Sequence, residues 1–215
     1  MDGQTIYRKN KEIIYISVVS VVVNCLTLIF YGVLYYYGNL SNSLPIYIYI
    51  FIAFWVITNI TLFIQERSKT TKTSHSNILK YLLLNIICGF SITLAFSTIY
   101  VFGAIANGYE VFNYWLLIAG STLLSFIGTH IFFCSEFEIS KHFSNNFYNL
   151  LGILVKVCSF ISLIYISLIV PVTQQENNFI WLSILILLAI DSLLIRPYFN
   201  YGLYLFNIRE KEKNS

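Results

Sequence analysis

Two ionisable residues lie deep inside apolar stretches of this sequence and are the first candidates for chemistry. Asp191 stands seven residues before Tyr198, and Lys156 stands seven residues after Asn149, at the start of an oppositely directed stretch. At ~1.5 Å per helical residue, both would lie ~10 Å inside the same membrane face. We therefore predict that Asp191 and Lys156 form an ion pair or a hydrogen-bonded neutral pair. Alternatively, Lys156 extends toward the headgroups and leaves Asp191 protonated.

Three further polar residues, Asn59, Asn85 and His130, come out at similar depths, ~7–10 Å from the same face. They predict a polar layer shared by five of six helices. Polar side chains in a bilayer fix helix packing, each contributing ~0.6–2 kcal/mol. They also build proton or ion relays and substrate sites. We favour the packing role, because one charged pair does not make a pathway.

Small residues mark a second feature, a stripe on the fourth apolar stretch. Ser121, Ser125 and Gly128 recur at helical spacing, and Gly120 lies beside them. Small side chains let two helix backbones approach closely in a membrane. The stripe predicts a packed neighbour, which is either another helix of this chain or a second copy of it.

Catalytic and metal-binding motifs are missing from the sequence. The four cysteines form no C-x-x-C pair, and His130 with Cys134 gives two ligands, which do not make a zinc site. There is no H-E-x-x-H, G-x-S-x-G or phosphate-binding glycine loop. We therefore expect a protein that is not an enzyme and has no cofactor or metal. The cysteines are Cys25, Cys88, Cys134 and Cys158.

The elements that carry these residues follow from composition. The 215 residues are 57% hydrophobic and only 11% charged, with a mean hydropathy of +0.71. This excludes a soluble, disordered, disulfide-framed or nucleic-acid-binding protein. Apolar runs of about 20 residues predict membrane helices, because barrel strands are ~9–11 residues long and alternate in polarity. We predict an all-α bundle in one domain, residues 1–215, with no soluble domain and the lipid bilayer as its surroundings. The six spans are about 13–37, 45–64, 79–103, 113–134, 150–172 and 179–198.

Positive charge predicts the orientation of these spans. With six crossings, all 13 Lys and Arg fall on one side. The loops of the other side, 38–44, 104–112 and 173–178, carry only Glu110 and Glu176 as charges. Lys and Arg are enriched in cytoplasmic loops, so both termini are expected in the cytoplasm and the protein in the cell membrane.

The segment after Pro197 is aromatic up to Ile208 and then turns charged. It either prolongs the last helix or lies along the membrane surface. A structural role is the default, and docking of a partner is the alternative.

The composition, length and number of spans of the whole chain resemble those of a known group of proteins. The chain has 33 Ile and 6 Ala, a skew typical of AT-rich genomes, and opens with the polar run Tyr7 to Glu12. Its size, six spans and this opening resemble uncharacterised staphylococcal membrane proteins, some of them encoded near type VII secretion genes. The resemblance implies a bacterial membrane protein with an accessory, regulatory or toxin-immunity role. A small transporter or channel component that uses the Asp191–Lys156 layer is the alternative.

Overall fold

The computed structural model describes residues 16–40, 43–67, 75–139, 146–173 and 175–213. These residues form an all-helical bundle without strands, so the predicted fold class is confirmed. Within these described ranges, six helices, one of them interrupted, are long and apolar enough to cross a membrane, which fits a multi-pass membrane protein. The elements are α1 (Ile16–Tyr37), α2 (Ile46–Arg67), α3 (His75–Ser97), α4 (Ile99–Ala106), α5 (Phe112–Glu136), α6 (Asn146–Ile169) and α7 (Asn178–Lys213).

The third crossing forms the centre of the bundle. In the 18-residue apolar window of Ser76–Ala106, which joins α3 and α4, 72% of the residues are buried, against 22–44% in the corresponding windows of the other five crossings. Gly89 shows how tightly this helix is surrounded. A methyl group at Gly89 would lie 2.6 Å from Ile190 of α7 and 3.3 Å from the ring of Phe126 of α5. The other helices therefore surround the second half of α3 and most of α4, whereas Leu83 and Ile87 in the first half of α3 are exposed.

A local break separates α3 from α4. The hydroxyls of Ser97 and Thr98 both donate to the carbonyl oxygen of Leu94, at 3.0 and 2.6 Å. Hydroxyls that bond back to the preceding turn compete with the helical ladder and bend helices. The single span predicted over 79–103 is thus two helices that follow each other directly.

The two ends of the bundle differ in charge. At one end, a methyl group at Gly38 would lie 2.7 Å from Ala106, and one at Gly103 would meet Glu176. The loops gathered here contain Glu110 and Glu176 and no Lys or Arg, so we call this the acidic end. The opposite end, where α2, α5 and α7 finish, is called the basic end.

The last helix is much longer than the predicted span 179–198. It runs from Asn178 to Lys213 with Pro197 inside it, ~54 Å of helix against a hydrocarbon core of ~30 Å. Of the two alternatives for the segment after Pro197, the helix is therefore prolonged. Its extension packs on the end of α5, because a methyl group at Gly202 would lie 2.8 Å from the carbonyl oxygen of Phe137.

The end of α5 shows what holds this extension. Glu138 has a left-handed backbone with φ 48°, and the N–H of Ile139 donates to the carbonyl of Cys134 at 3.0 Å, which is a Schellman-type helix end. Arg209 of α7 donates to the carbonyl oxygens of Glu138 and Ile139 at 3.1 and 3.2 Å. The guanidinium here bonds two carbonyl oxygens just beyond the helix end and complements the partial negative charge of that end.

Candidate functional site

An ion pair between Lys156 of α6 and Asp191 of α7 forms the main polar site. Lys156 Nζ contacts Asp191 Oδ2 and also donates to Thr129 Oγ1 at 2.6 Å. Thr129 Oγ1 lies 2.9 Å from Asp191 Oδ1, to which it donates. Ser125 Oγ accepts a longer bond from the ammonium at 3.3 Å. We call Ser125, Thr129, Lys156 and Asp191 the ionic cluster.

Close approach of α5 and α6 positions Lys156. A methyl group at Gly128 would lie 2.8 Å from the carbonyl oxygen of Gly152 and 2.9 Å from the backbone nitrogen of Lys156. Only glycine therefore fits without strain where α5 and α6 contact each other at Gly128. Thr129, the next residue along α5, meets the ammonium because the two backbones touch here.

Within the ionic cluster, the ammonium group has a hydrogen-bond acceptor for each of its donors. The three N–H donors of the ammonium have three acceptors, in Asp191, Thr129 and Ser125. Opposite charges attract more strongly away from water, and the remaining hydrogen bonds offset part of the cost of burying them. The side chains of Lys156 and Asp191 stay 19% and 13% exposed, so one edge of the pair reaches the protein surface.

A lysine beside a hydroxyl also resembles a nucleophile with its base, as in Ser–Lys hydrolases. Such chemistry needs a neutral amine and a hydroxyl that substrate can reach. Here the Lys156 ammonium faces a carboxylate, and both Ser125 and Thr129 are buried. The geometry therefore favours an ion pair over an activated nucleophile.

The other predicted layer residues bond within different groups rather than with the ionic cluster. Asn59 Oδ1 accepts from Asn24 Nδ2 at 2.8 Å and from Cys88 Sγ at 3.5 Å, while Trp55 Nε1 donates to Asn24 Oδ1 at 3.0 Å. This amide group links α1, α2 and α3. Asn85 Nδ2 donates to Tyr81 of its own helix at 2.7 Å.

His130 belongs to a third group, at the basic end. Its Nδ1 lies 2.6 Å from Tyr198 Oη, and Cys134 Sγ lies 3.6–3.7 Å from the ring nitrogens. Equal depth did not bring Asn59, Asn85 and His130 to the ionic cluster, because depth does not fix the direction in which a side chain leaves its helix. Among the described residues, no three His, Cys, Asp or Glu are grouped to hold a metal.

The small-residue stripe packs within the same chain. Ser121 Oγ lies 2.8 Å from Ser162 Oγ of α6, and Ser159 Oγ donates to the Ser121 carbonyl at 2.7 Å. Together with Gly128 and Gly152, these residues form the α5–α6 seam. Gly120 does not take part in this contact, because it is exposed and a methyl group there would meet nothing within 4 Å.

Comparison with known families places the chain in one of them. A family model described as Domain of unknown function (DUF5079) matches residues 4–214. The chain belongs to the DUF5079 family. Searches of curated proteins and of solved structures return no match for it.

Sequence reasoning missed two contributors to the site of this DUF5079 protein. Thr129 bridges both charged partners, and Ser125, singled out only for packing, also accepts from Lys156. A signal for both was present, since they stand one turn apart on the small-residue face of a helix whose depth matches Lys156. The bridging hydroxyl ties α5 into the ion pair, so the cluster joins three helices.

Proposed function

We propose that this protein is embedded in a cell membrane, with its basic end in the cytoplasm. Lys and Arg accumulate in cytoplasmic loops, and all 13 of them lie toward the basic end when six crossings are counted. A reporter fused at Asn107 tests this: it should be active only outside the cell, whereas one fused after Lys213 should be active only inside. An internal signal at Asn107 would reverse the proposal.

Within the membrane, we propose a non-enzymatic role as an accessory, regulatory or toxin-immunity partner of another protein. The observation that carries it is the ionic cluster, whose donors and acceptors pair with one another within the chain. The exposed surface of the described helices is largely apolar, which suits contact with lipid and with other membrane helices. The resemblance to staphylococcal proteins encoded near type VII secretion genes supports the same role.

Crosslinking in native membranes tests the partner role. Tagged full-length protein should copurify with one specific membrane or secreted protein, in amounts that follow expression of the tagged chain. The variant Leu168→Trp changes one strongly exposed apolar position of α6. The amount of partner that copurifies with this variant, compared with the unchanged protein, shows whether the partner contacts that face. Recovery of the chain as a monomer without any stoichiometric partner would contradict the proposal.

A second candidate is a small transporter or channel component. One observation favours it: the Lys156–Asp191 pair lies between helices and is partly exposed. Purified protein in vesicles should then carry a proton or ion flux that Asp191→Asn abolishes, while Ser162→Ala, outside the ionic cluster, leaves it intact. Flux that survives Asp191→Asn removes Asp191 from any relay.

A further inference from the structure

The carboxyl ends of α1 and α4 meet at the acidic end. A methyl group at Gly38, the residue after α1, would lie 2.7 Å from the side chain of Ala106, the last residue of α4. Glu176 lies against Gly103, one turn earlier in α4. A helix carries a partial negative charge at its carboxyl end. Two such ends side by side, with a carboxylate next to them, make this part of the surface electrically negative.

A fixed turn after α4 presents an aromatic ring and a second carboxylate beside this junction. The Gly108 N–H donates to the carbonyl oxygen of Ile105 at 2.9 Å, and Gly108 has φ 81°. The Tyr109 N–H donates to the carbonyl oxygen of Ala104 at 3.0 Å. These two bonds form a Schellman motif, in which the left-handed residue is usually glycine. The motif holds Tyr109 in place with Glu110 directly after it, and both residues are exposed.

Two more rings stand at the end of α1. Tyr36 and Tyr37 are 76% and 79% exposed, and their rings meet edge to face with centroids 5.4 Å apart. Side chains with so much exposed area contribute little to the packing of the bundle. We call Tyr36, Tyr37, Tyr109 and Glu110 the α1–α4 patch.

The α1–α4 patch suits a positively charged group. The faces of aromatic rings attract ammonium and guanidinium groups, and a carboxylate pairs with the same groups. The loops of the acidic end, 38–44, 104–112 and 173–178, contain no Lys or Arg. A cation from another molecule therefore has no competitor in these loops.

We propose that the α1–α4 patch binds a lysine- or arginine-rich segment of a secreted protein. With the acidic end outside the cell, other membrane proteins are poor sources of such a segment, because their Lys and Arg are concentrated on the cytoplasmic side. A soluble protein that arrives from outside has no such restriction. The inference rests on the proposed partner role and orientation, and it specifies the chemistry of the partner.

Binding of a fluorescent hexa-arginine peptide to the full-length protein in nanodiscs tests the patch. Nanodiscs of phosphatidylcholine leave both membrane faces accessible and carry no net lipid charge, so the result depends on neither orientation nor lipid charge. The measurement is the Kd from fluorescence anisotropy, with empty nanodiscs as the blank. Raising the salt concentration from about 0.05 M to about 0.5 M should weaken binding, because exposed charges are screened.

Glu110→Gln and Tyr37→Leu should each raise the Kd roughly 1.5- to 5-fold, the factor that one exposed ion pair or cation–π contact gives. Tyr37→Phe keeps the ring face and should leave the Kd unchanged. Glu210→Gln is the matched control, because it removes an exposed carboxylate at the basic end and should also leave the Kd unchanged. The changed side chains are exposed, so all four variants should keep the Tm of the unchanged protein.

The outcomes separate the patch from simpler explanations. Weaker binding by Glu110→Gln and Tyr37→Leu, with Tyr37→Phe and Glu210→Gln unchanged, supports the proposal. An equal loss in Glu110→Gln and Glu210→Gln means that the peptide responds to net charge alone. An unchanged Kd in Tyr37→Leu means that the tyrosines only anchor the helix among headgroups. Either result, or equal binding to empty nanodiscs, overturns the proposal.

The peptide assay is independent of the crosslinking experiment in native membranes. Failure to recover a partner there would contradict the proposed function and leave the Kd values as they are. Conversely, a partner recovered by crosslinking while the peptide ignores the α1–α4 patch would keep the proposed function and remove this inference.

Discussion

The close backbone contact between α5 and α6 makes a quantitative prediction for Gly128→Ala. The added methyl group would lie 2.8 Å from the Gly152 carbonyl oxygen and 2.9 Å from the Lys156 nitrogen. Both are backbone atoms, which cannot turn aside. Ordinary contact begins at 3.4 Å, so α5 and α6 must separate by at least about 0.6 Å. That movement also stretches the bond between Lys156 and Thr129.

The magnitude follows from two opposing effects. Overpacking of a close contact costs ~1–3 kcal/mol. Alanine in place of a mid-helix glycine gains ~0.5–1 kcal/mol. The net loss in the free energy of unfolding therefore lies within ~0–2.5 kcal/mol, with a central value of ~1.3 kcal/mol. At roughly 2–4 °C per kcal/mol for a chain of this size, this central value lowers the Tm of Gly128→Ala by about 3–5 °C.

A matched control lies two turns away on the same helix. Gly120 has open space around it, so Gly120→Ala keeps the helix-propensity gain without the clash. Its Tm should rise by about 1–4 °C. The assay is thermal unfolding of the purified full-length variants in one detergent, followed by circular dichroism and by tryptophan fluorescence. If both variants shift the Tm in the same direction, the close approach of α5 and α6 is wrong.

Three further predictions use the same assay. Asp191→Asn and Lys156→Met should each lower stability by ~3–5 kcal/mol and the double variant should recover part of the loss, whereas additive effects would show that they are not partners. Glu138→Gly should stabilise by ~1 kcal/mol by relieving φ 48°, and a lower Tm would mean that the glutamate side chain supports the helix end. Asn85→Leu should be neutral or stabilising because Asn85 Oδ1 is buried without a partner, and a clear loss of stability would refute that environment.

Length and hydropathy were sufficient for the helical bundle, because a membrane leaves few ways to satisfy the backbone. The same signals could not show the break at Thr98, which depends on hydroxyls turning back onto Leu94. They could not show that α7 continues past Pro197 either. That extension is held by the packing of Gly202 and the bonds of Arg209 at the end of α5, which are contacts between distant parts of the chain.

The polar site, like the fold, could be predicted from the sequence only in part. Counting residues from the membrane face gave the depth of Asp191 and Lys156, and the structure brings the two together. The same count placed Asn59 at that depth as well, but its side chain bonds Asn24 instead. Rotation of each helix about its axis decides between these results, and rotation is set by packing such as that of Gly128 on Gly152.

The location of the ion pair on the last two helices has a consequence for biosynthesis. Lys156 leaves the ribosome 35 residues ahead of Asp191, a delay of about 2–7 s at ~5–20 residues per second. During this time the newly inserted α6 holds a cation whose carboxylate has not been made. The hydroxyls of Ser125 and Thr129, already translated, can solvate it. These two hydroxyls therefore serve the nascent chain first and the finished protein afterwards.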